Sequence, residues 1–141
     1  MKLVTNLAFK NGECRQAFEF YAKALGGTIR AMLPYSDAPP EMPVDPKYKD
    51  WLMHAWMDVG DQSLMGADSP PEYCTAGPMN GFSVSFHTDD PDEARKIYAA
   101  LLEGGTPTMP MNKTFWSPAF GALNDKFGVP WMINTFPEMP K

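Results

Sequence analysis

The sequence predicts an α+β fold built of two consecutive βαβββ modules, with two antiparallel curved sheets and the helices on their outside. The main observation is an internal repeat. AFEFYAKAL (17–25) and ARKIYAALL (94–102) share the pattern A-x-x-x-Y-A-x-x-L, and an alternating segment precedes each copy. Repeated order of this kind is typical of a duplicated structural unit. We expect one domain with modules at about 1–66 and 81–137, joined by a linker over 67–80.

Both copies of the repeat are predicted to be amphipathic helices. In the first copy the apolar residues from 14 to 25 recur at helical spacing and line one face, and residues 94 to 102 form the same stripe. Asn11 is the candidate N-cap of the first helix, and Asp90 followed by Pro91 is expected to start the second. The glycine pairs that follow the stripes are expected to end the helices: Gly26-Gly27 and Gly104-Gly105.

Extended segments complete each module. LVTNLAF (3–9) and GFSVSFHT (81–88) precede the helices and alternate apolar with polar residues, which is typical of half-buried strands. Gly60-Asp61 and Phe127-Gly128 are read as hairpin turns, and Asp58 as a turn residue beside the first of them. The segments after the helices are TIRAMLPY, WLMHAWMDV and QSLMGA in the first half and TPTMP, FWSPAFGALND and VPWMINTF in the second.

Composition and charge argue against several classes of partner. A net charge of -5 at pH 7 and a pI of 4.9 disfavour nucleic acid and anionic membranes. No apolar run approaches the roughly 20 residues of a membrane span, and the first residues do not form a signal sequence, so a cytoplasmic location is expected. Cys14 and Cys74 lie too far apart for a CxxC or zinc-binding pattern and are read as ordinary thiols.

Three motifs make the chain similar to a known family. Tandem βαβββ modules are the organisation of the vicinal oxygen chelate superfamily, the glyoxalase/bleomycin resistance/dioxygenase proteins. Within it the chain resembles PhnB-like proteins through NGECRQAFEFYAKALGG, MHAWMDVGDQSLMGAD and, most specifically, KTFWSPAFGALNDKFGVPWMIN. Such proteins often carry a 3-demethylubiquinone-9 3-methyltransferase-like label. The sequence lacks the glycine-rich strand-to-helix turn of an S-adenosylmethionine site, so a methyltransferase is not expected.

The resemblance also implies where metal ligands would stand. In metal-dependent members four ligands, usually His and Glu, come from facing strands of the two modules. These positions fall on Asn6 with its repeat mate Ser83, and on His54 with its mate Met132. Only His54 is an ordinary ligand for Zn, Ni, Mn or Fe, so no cofactor is expected and a divalent metal is the alternative. His54 is the candidate catalytic base, and a hydrogen-bonded structural histidine is the competing interpretation.

The expected function is binding of a small organic molecule in an aromatic-lined cavity beside a degenerate metal site. One alternative is a metal-dependent glyoxalase-like enzyme of the lyase/isomerase or dioxygenase type. Another is a scaffold whose aromatic residues serve the core and an interface. The resemblance implies a homodimer, and neither nucleic acid nor a membrane is an expected partner. The expected cavity residues are Asn6, His54, Trp56, Ser83, Phe115, Trp116, Trp131 and Met132.

Overall fold

The computed structural model of the chain describes residues 1–41, 44–71 and 79–135. It divides into two compact units, Met1–Ala76 and Gly77–Lys141. Within the described ranges each unit contains one α-helix and one four-stranded sheet, in the order βαβββ that the repeat predicts. Residues 72–78 of the predicted linker, which include Cys74, lie outside the described residues, as does Phe136.

The first unit contains one helix and one four-stranded sheet. Its elements are β1 (Thr5–Phe9), α1 (Cys14–Leu25), β2 (Thr28–Pro34), β3 (Leu52–Val59) and β4 (Gln62–Asp68). The strand order in the sheet is β1-β4-β3-β2. Two short 3-10 turns, Tyr35–Asp37 and Pro46–Tyr48, lie between β2 and β3.

The second unit has the same plan, with its four strands in one sheet. The strand predicted over 115–125 is confirmed only in its second half, because a tight turn precedes it. In that turn the Thr114 amide donates to the Ser117 carbonyl at 2.9 Å, and the Ser117 amide donates to the Thr114 hydroxyl at 3.1 Å. The elements are β5 (Val84–Thr88), α2 (Pro91–Leu102), β6 (Thr106–Asn112), β7 (Phe120–Asn124) and β8 (Pro130–Thr135). The strand order in the sheet is β5-β8-β7-β6.

Both sheets are mixed, whereas the sequence predicted antiparallel sheets. In the first unit β2, β3 and β4 form an antiparallel meander, but β1 pairs in parallel with β4, from Thr5 opposite Leu64 to Phe9 opposite Asp68. The reason is the helix between the first two strands. It returns the chain across the sheet, so β2 starts in the direction of β1, and the meander then gives β4 that same direction. The second unit repeats this pattern, with β5 parallel to β8.

The start of α2 is confirmed and the predicted start of α1 is wrong. The side chain of Asp90 accepts a hydrogen bond from the Asp92 amide at 2.9 Å, so it is the N-cap of α2. Asn11 does not cap α1, which begins at Cys14. The Cys14 amide donates instead to a carboxylate oxygen of Asp68 at 2.9 Å. A cap supplied from the end of β4 is a tertiary contact, which local sequence patterns do not reveal.

Each helix packs on one face of its own sheet and forms a core there. The approach is close enough to require glycine in a strand. A Cβ at Gly66 would come within 2.7 Å of the Phe18 ring of α1, and a Cβ at Gly121 within 2.7 Å of the Tyr98 ring of α2. Side chains alternate along a strand, so the remaining residues project from the opposite side. We call the side of each sheet away from its own helix the distal face.

Candidate functional site

The distal face of the first sheet brings three of the predicted site residues together. The strand register sets Asn6, Met65 and Trp56 side by side across β1, β4 and β3. His54 lies two residues before Trp56 on β3 and therefore on the same face, with the two ring centroids 6.2 Å apart. Asn6 is exposed and the other three side chains are partly exposed. The face thus presents one aromatic ring, one thioether and two polar groups.

Asp58 organises one end of this distal face. Its Oδ1 accepts hydrogen bonds from Trp56 Nε1 at 2.9 Å and from Ser63 Oγ at 2.8 Å, and its Oδ2 accepts from Arg30 Nε at 3.0 Å. The hydrogen bonds from Ser63, Trp56 and Arg30 lower the pKa of Asp58 to about 2, because each donor favours the charged carboxylate. The Trp56 N–H is therefore already used, and the indole offers a ligand its apolar ring faces.

Arg30 reaches this carboxylate because β2 contains a bulge. Ile29 and Ala31 stand opposite Met57 and Trp56, which are adjacent on β3, so Arg30 is the extra residue of β2 at this point. Bulges of this kind redirect a side chain. The Arg30 side chain is 60% exposed and bonds Asp58 through Nε. Within the described ranges its two terminal nitrogens make no hydrogen bond.

The predicted role of Asp58 as a turn residue misses this network. The position next to Gly60 suited a turn, but the Asp58 side chain points across the sheet to its neighbours. The sequence contains a signal for this placement of the Asp58 side chain. A two-residue turn at 60–61 places Asp58 opposite Ser63, and the period of two places it on the same face as Trp56.

The repeat pairing of His54 with Met132 is wrong. His54 lies on the third strand of its module, whereas Met132 lies on the fourth strand of the second module. The counterpart of Met132 is Met65, since each lies on the strand that pairs with the first strand of its unit. The constant offset fails because the connection between the second and third strands spans residues 35–51 in the first unit and only 113–119 in the second.

Three other predicted cavity residues lie outside the strands of the second unit. Ser83 precedes β5, and Ser85 is the residue whose register matches that of Asn6. Phe115 and Trp116 lie in the loop before β7, with 97% and 43% of their surface exposed. Their ring centroids are 4.7 Å apart in an edge-to-face arrangement. They form an exposed aromatic pair, which also contacts the first residue of β7 because the Trp116 and Phe120 ring centroids lie 5.4 Å apart.

Trp131 is a core residue, so the expectation that it lines a ligand cavity is wrong. Its exposed fraction is 2%, and it lies on the face of β8 toward α2. Its Nε1 donates to Asp125 Oδ2 at 2.9 Å. The other oxygen of Asp125 accepts from the backbone amides of Phe127 and Val129, at 2.8 and 3.0 Å, and so holds the turn between β7 and β8.

Comparison with known proteins gives the family of the chain. A model of the glyoxalase/bleomycin resistance protein/dioxygenase superfamily matches residues 7–133. The chain belongs to this superfamily. Protein YjdN of Escherichia coli (strain K12) is 27% identical to it over 148 residues, which cover 99% of each protein.

Solved structures of similar proteins support the same fold. Protein PA1353 from Pseudomonas aeruginosa is 43% identical, with a TM-score of 0.87 over 96% of this chain and 98% of that one. A PhnB protein from Bacillus cereus, whose name includes the words 3-demethylubiquinone-9 3-methyltransferase, is 24% identical, with a TM-score of 0.78 over 96% and 99% of the two chains. At that identity the second likeness concerns the fold alone. No helix in the described part of the chain has the length and apolar character to span a bilayer.

The side chains at the four predicted ligand positions do not fit a transition-metal centre, and the set that the strand register gives instead, Asn6, Met65, Ser85 and Met132, contains no imidazole or carboxylate. Asn6, Ser83 and Met132 offer an amide, a hydroxyl and a thioether, and only His54 offers an imidazole. Zinc and similar ions need several imidazole, thiolate or carboxylate groups together. Among the described residues no group of three His, Cys, Asp or Glu side chains could hold an ion. Burial, reinforced by the charge of Asp68, raises the pKa of the Cys14 thiol far above its usual range and so disfavours a thiolate ligand.

Within the described residues His54 lacks the hydrogen bond that would orient a catalytic base or hold a structural histidine. A catalytic histidine is normally oriented by a hydrogen bond to one ring nitrogen. In the described portion of the chain the His54 imidazole makes no hydrogen bond, and its ring contact is with Trp56 at 6.2 Å between centroids. A catalytic role for His54 stays a prediction, and as placed it is a polar neighbour of the aromatic ring.

Proposed function

We propose that this superfamily member binds a small organic molecule on the distal face of the first sheet, beside a degenerate metal site. The observation that carries the proposal is the Trp56 ring, which is partly exposed and fixed by its hydrogen bond to Asp58 at 2.9 Å. A ring that is already ordered loses little conformational entropy when a ligand covers it. Rigid aromatic surface with a few polar groups beside it is typical of small-molecule sites.

The neighbours of Trp56 suit a planar ligand. Met65 stands beside it across the β3–β4 pair and offers a flexible apolar contact. Asn6 lies beyond Met65 on β1, and His54 lies along β3, so polar groups flank the aromatic surface on two sides. A planar molecule stacked on the indole would meet hydrogen-bonding groups at its edges.

Binding is a better proposal than glyoxalase-type catalysis because that chemistry depends on a metal acting as a Lewis acid. One imidazole among the four predicted ligand positions does not supply such a centre. Nor does the described chain contain the glycine-rich turn between a strand and a helix that a methyltransferase site would need.

The proposal includes a homodimer and a cytoplasmic location, which the resemblance to the superfamily suggests. An apolar ring as exposed as Phe115, at 97%, is a surface that a second copy would cover favourably. Sedimentation analysis of the chain and of Phe115→Ser tests this part. A chain that sediments as a monomer at all concentrations would contradict the dimer without affecting the ligand proposal.

The binding experiment uses a planar two-ring probe, 2-naphthylmethanol, and isothermal titration calorimetry. We expect Trp56→Leu to weaken binding by at least about tenfold, because stacking on an aromatic ring contributes most of the contact area. The urea unfolding midpoint should stay close to that of the wild type, since the ring is partly exposed. Trp116→Leu is the matched variant at a tryptophan outside the proposed surface, with 43% of its surface exposed. Loss of binding in Trp116→Leu but not in Trp56→Leu would contradict the proposal.

A further inference from the structure

We infer that Arg30 is the anion-binding group of this surface, so that the ligand is a planar aromatic molecule carrying a carboxylate or a similar anionic substituent. This inference rests on the proposed function and names the chemical class of its ligand. It depends on how Arg30 is anchored, on where it lies relative to Trp56, and on the local balance of charge.

The ion pair with Asp58 leaves the two terminal nitrogens of the Arg30 guanidinium available to a ligand. A guanidinium offers five N–H donors in a planar fork, and a carboxylate can take two parallel bonds from the pair of terminal nitrogens. Asp58 holds Arg30 through Nε, at 3.0 Å. In the described parts of the chain the two terminal nitrogens have no acceptor, and 60% of the side chain is exposed. The ion pair therefore orients the fork without occupying it.

Arg30 and Trp56 are neighbours because they share one carboxylate. The indole N–H donates to Oδ1 of Asp58, and the guanidinium donates to Oδ2. The bulge in β2 also sets Ala31, the residue after Arg30, directly opposite Trp56. A planar molecule lying on the indole therefore has the guanidinium within reach of a substituent at its edge.

The local charge favours an anion although the whole chain is acidic. Arg30 contributes one positive charge, and Lys2 adds another through a 2.9 Å hydrogen bond from its Nζ to Ser63 Oγ. The one carboxylate in this network, Asp58, already accepts three side-chain hydrogen bonds. A local positive excess on a chain of net charge -5 is a distinct feature of this surface. An exposed ion pair by itself stabilises a fold very little, so stability alone does not account for a strand bulge that directs Arg30 here.

The test compares two probes that share a ring system and differ in charge: 2-naphthoate and 2-naphthylmethanol. Calorimetry at low ionic strength should show that the wild type binds 2-naphthoate about tenfold more tightly, the usual scale of a charge-assisted hydrogen bond. In Arg30→Gln the preference should disappear while the affinity for the alcohol stays unchanged. Arg30→Lys should keep part of the preference, because it retains the charge and loses the planar fork.

Arg95→Gln is the matched control. Arg95 is also an exposed arginine in an ion pair, bonded to Asp92 at 3.0 Å on α2, with 54% of its side chain exposed. Its replacement should leave both affinities unchanged. Urea unfolding of each variant checks that the fold is retained.

The outcomes separate this inference from the proposed function. If Trp56→Leu weakens both probes but Arg30→Gln changes neither, or changes both equally, the inference about Arg30 is wrong and the binding surface stands. No preference in the wild type likewise overturns the anionic class of ligand. If both probes bind Trp56→Leu as tightly as the wild type, or neither binds the wild type, the proposed surface itself is wrong.

Discussion

The described residues include two tryptophan–aspartate pairs, one in each unit, which are joined by the same kind of hydrogen bond but differ in burial. Trp56 donates to Asp58 and Trp131 donates to Asp125, in both cases through Nε1 over 2.9 Å. The first pair lies on the distal face and is partly exposed. The second lies under α2, where Trp131 is 2% exposed. The same hydrogen bond therefore orients a surface ring in one unit and completes a core in the other.

The difference shows that burial decides what such a pair contributes. A buried indole N–H without an acceptor carries a large desolvation penalty, so the acceptor in the second unit is essential to stability. An exposed indole can turn to water, and its acceptor chiefly limits the ring's freedom. Loss of stability is thus the expected consequence of change in the second pair, and loss of binding in the first.

The largest expected effect is that of Trp131→Ala. Removing a large buried aromatic side chain should lower the free energy of unfolding by about 3–5 kcal/mol. Trp56→Leu should lower it by less than about 1 kcal/mol, because the ring is partly exposed. Urea denaturation followed by far-UV circular dichroism measures both. If both variants lost the same free energy of unfolding, the distinction between a core pair and a surface pair would be wrong.

Asp125→Ala should have the next largest effect. It removes the acceptor of three donors, namely the Trp131 indole and two turn amides. We expect the free energy of unfolding to fall by about 2–4 kcal/mol, with faster hydrogen exchange at Val129. Asp61→Ala, in the exposed turn of the first unit, is the control and should stay within about 0.5 kcal/mol of the wild type. A small effect of Asp125→Ala would mean that water replaces the carboxylate in the turn.

Asp58→Asn should weaken binding and lower stability only slightly, because the Asp58 side chain is partly exposed. The neutral amide is a weaker acceptor than a carboxylate, so the Trp56 ring is less strongly held and the ion pair with Arg30 is lost. We expect the affinity for 2-naphthylmethanol to fall about threefold and the indole N–H resonance of Trp56 to shift. The urea midpoint should fall only slightly, because an exposed ion pair contributes little to stability. A much lower midpoint with unchanged affinity would mean that the Trp56–Asp58 pair serves stability and not binding.

The smallest expected effect is the pH response of the first pair. The folded-state pKa of Asp58 lies at about 2, below its ordinary value of 3.8, so the stabilising contribution of the carboxylate is complete above the ordinary value and is lost as the pH falls through the folded value. The Trp56 indole N–H resonance should be constant from neutral pH down to about pH 4 and change only toward pH 2. In Asp58→Asn this change should be absent. A midpoint near 4 in the wild type would show that the three hydrogen bonds to Asp58 do not persist in solution.

Local patterns were sufficient for the helices and hairpins and insufficient for the strand order. The stripes at 14–25 and 94–102 predicted both helices because each pattern lies within the element that it describes. The parallel pairing of β1 with β4 joins residues as distant as Thr5 and Leu64. No local pattern records which distant strand is the neighbour, so the sheets were expected to be antiparallel.

The candidate site was only partly predictable for the same reason. The alternation of β3 brings His54 and Trp56 to one face, and the sequence named both. Around Trp131, apolar residues occupy both the odd and the even positions of the strand, so the sequence did not distinguish the core face from the distal face. Arg30 escaped prediction because its position depends on a bulge, which appears only in the pairing of β2 with β3.

The pairing of β1 with β4 also sets the order in which the first unit can form. β1 is synthesised before the rest of its module, but it pairs with β4, the last strand of that module. The backbone amide of Cys14 in α1 likewise donates to the carboxylate of Asp68, which lies at the end of β4. Until residue 68 is available, β1 lacks its neighbour and α1 lacks its cap. Contacts this distant in sequence slow folding. The module should therefore gain its structure in a single late step, and a chain shortened before residue 68 should remain unfolded in this half.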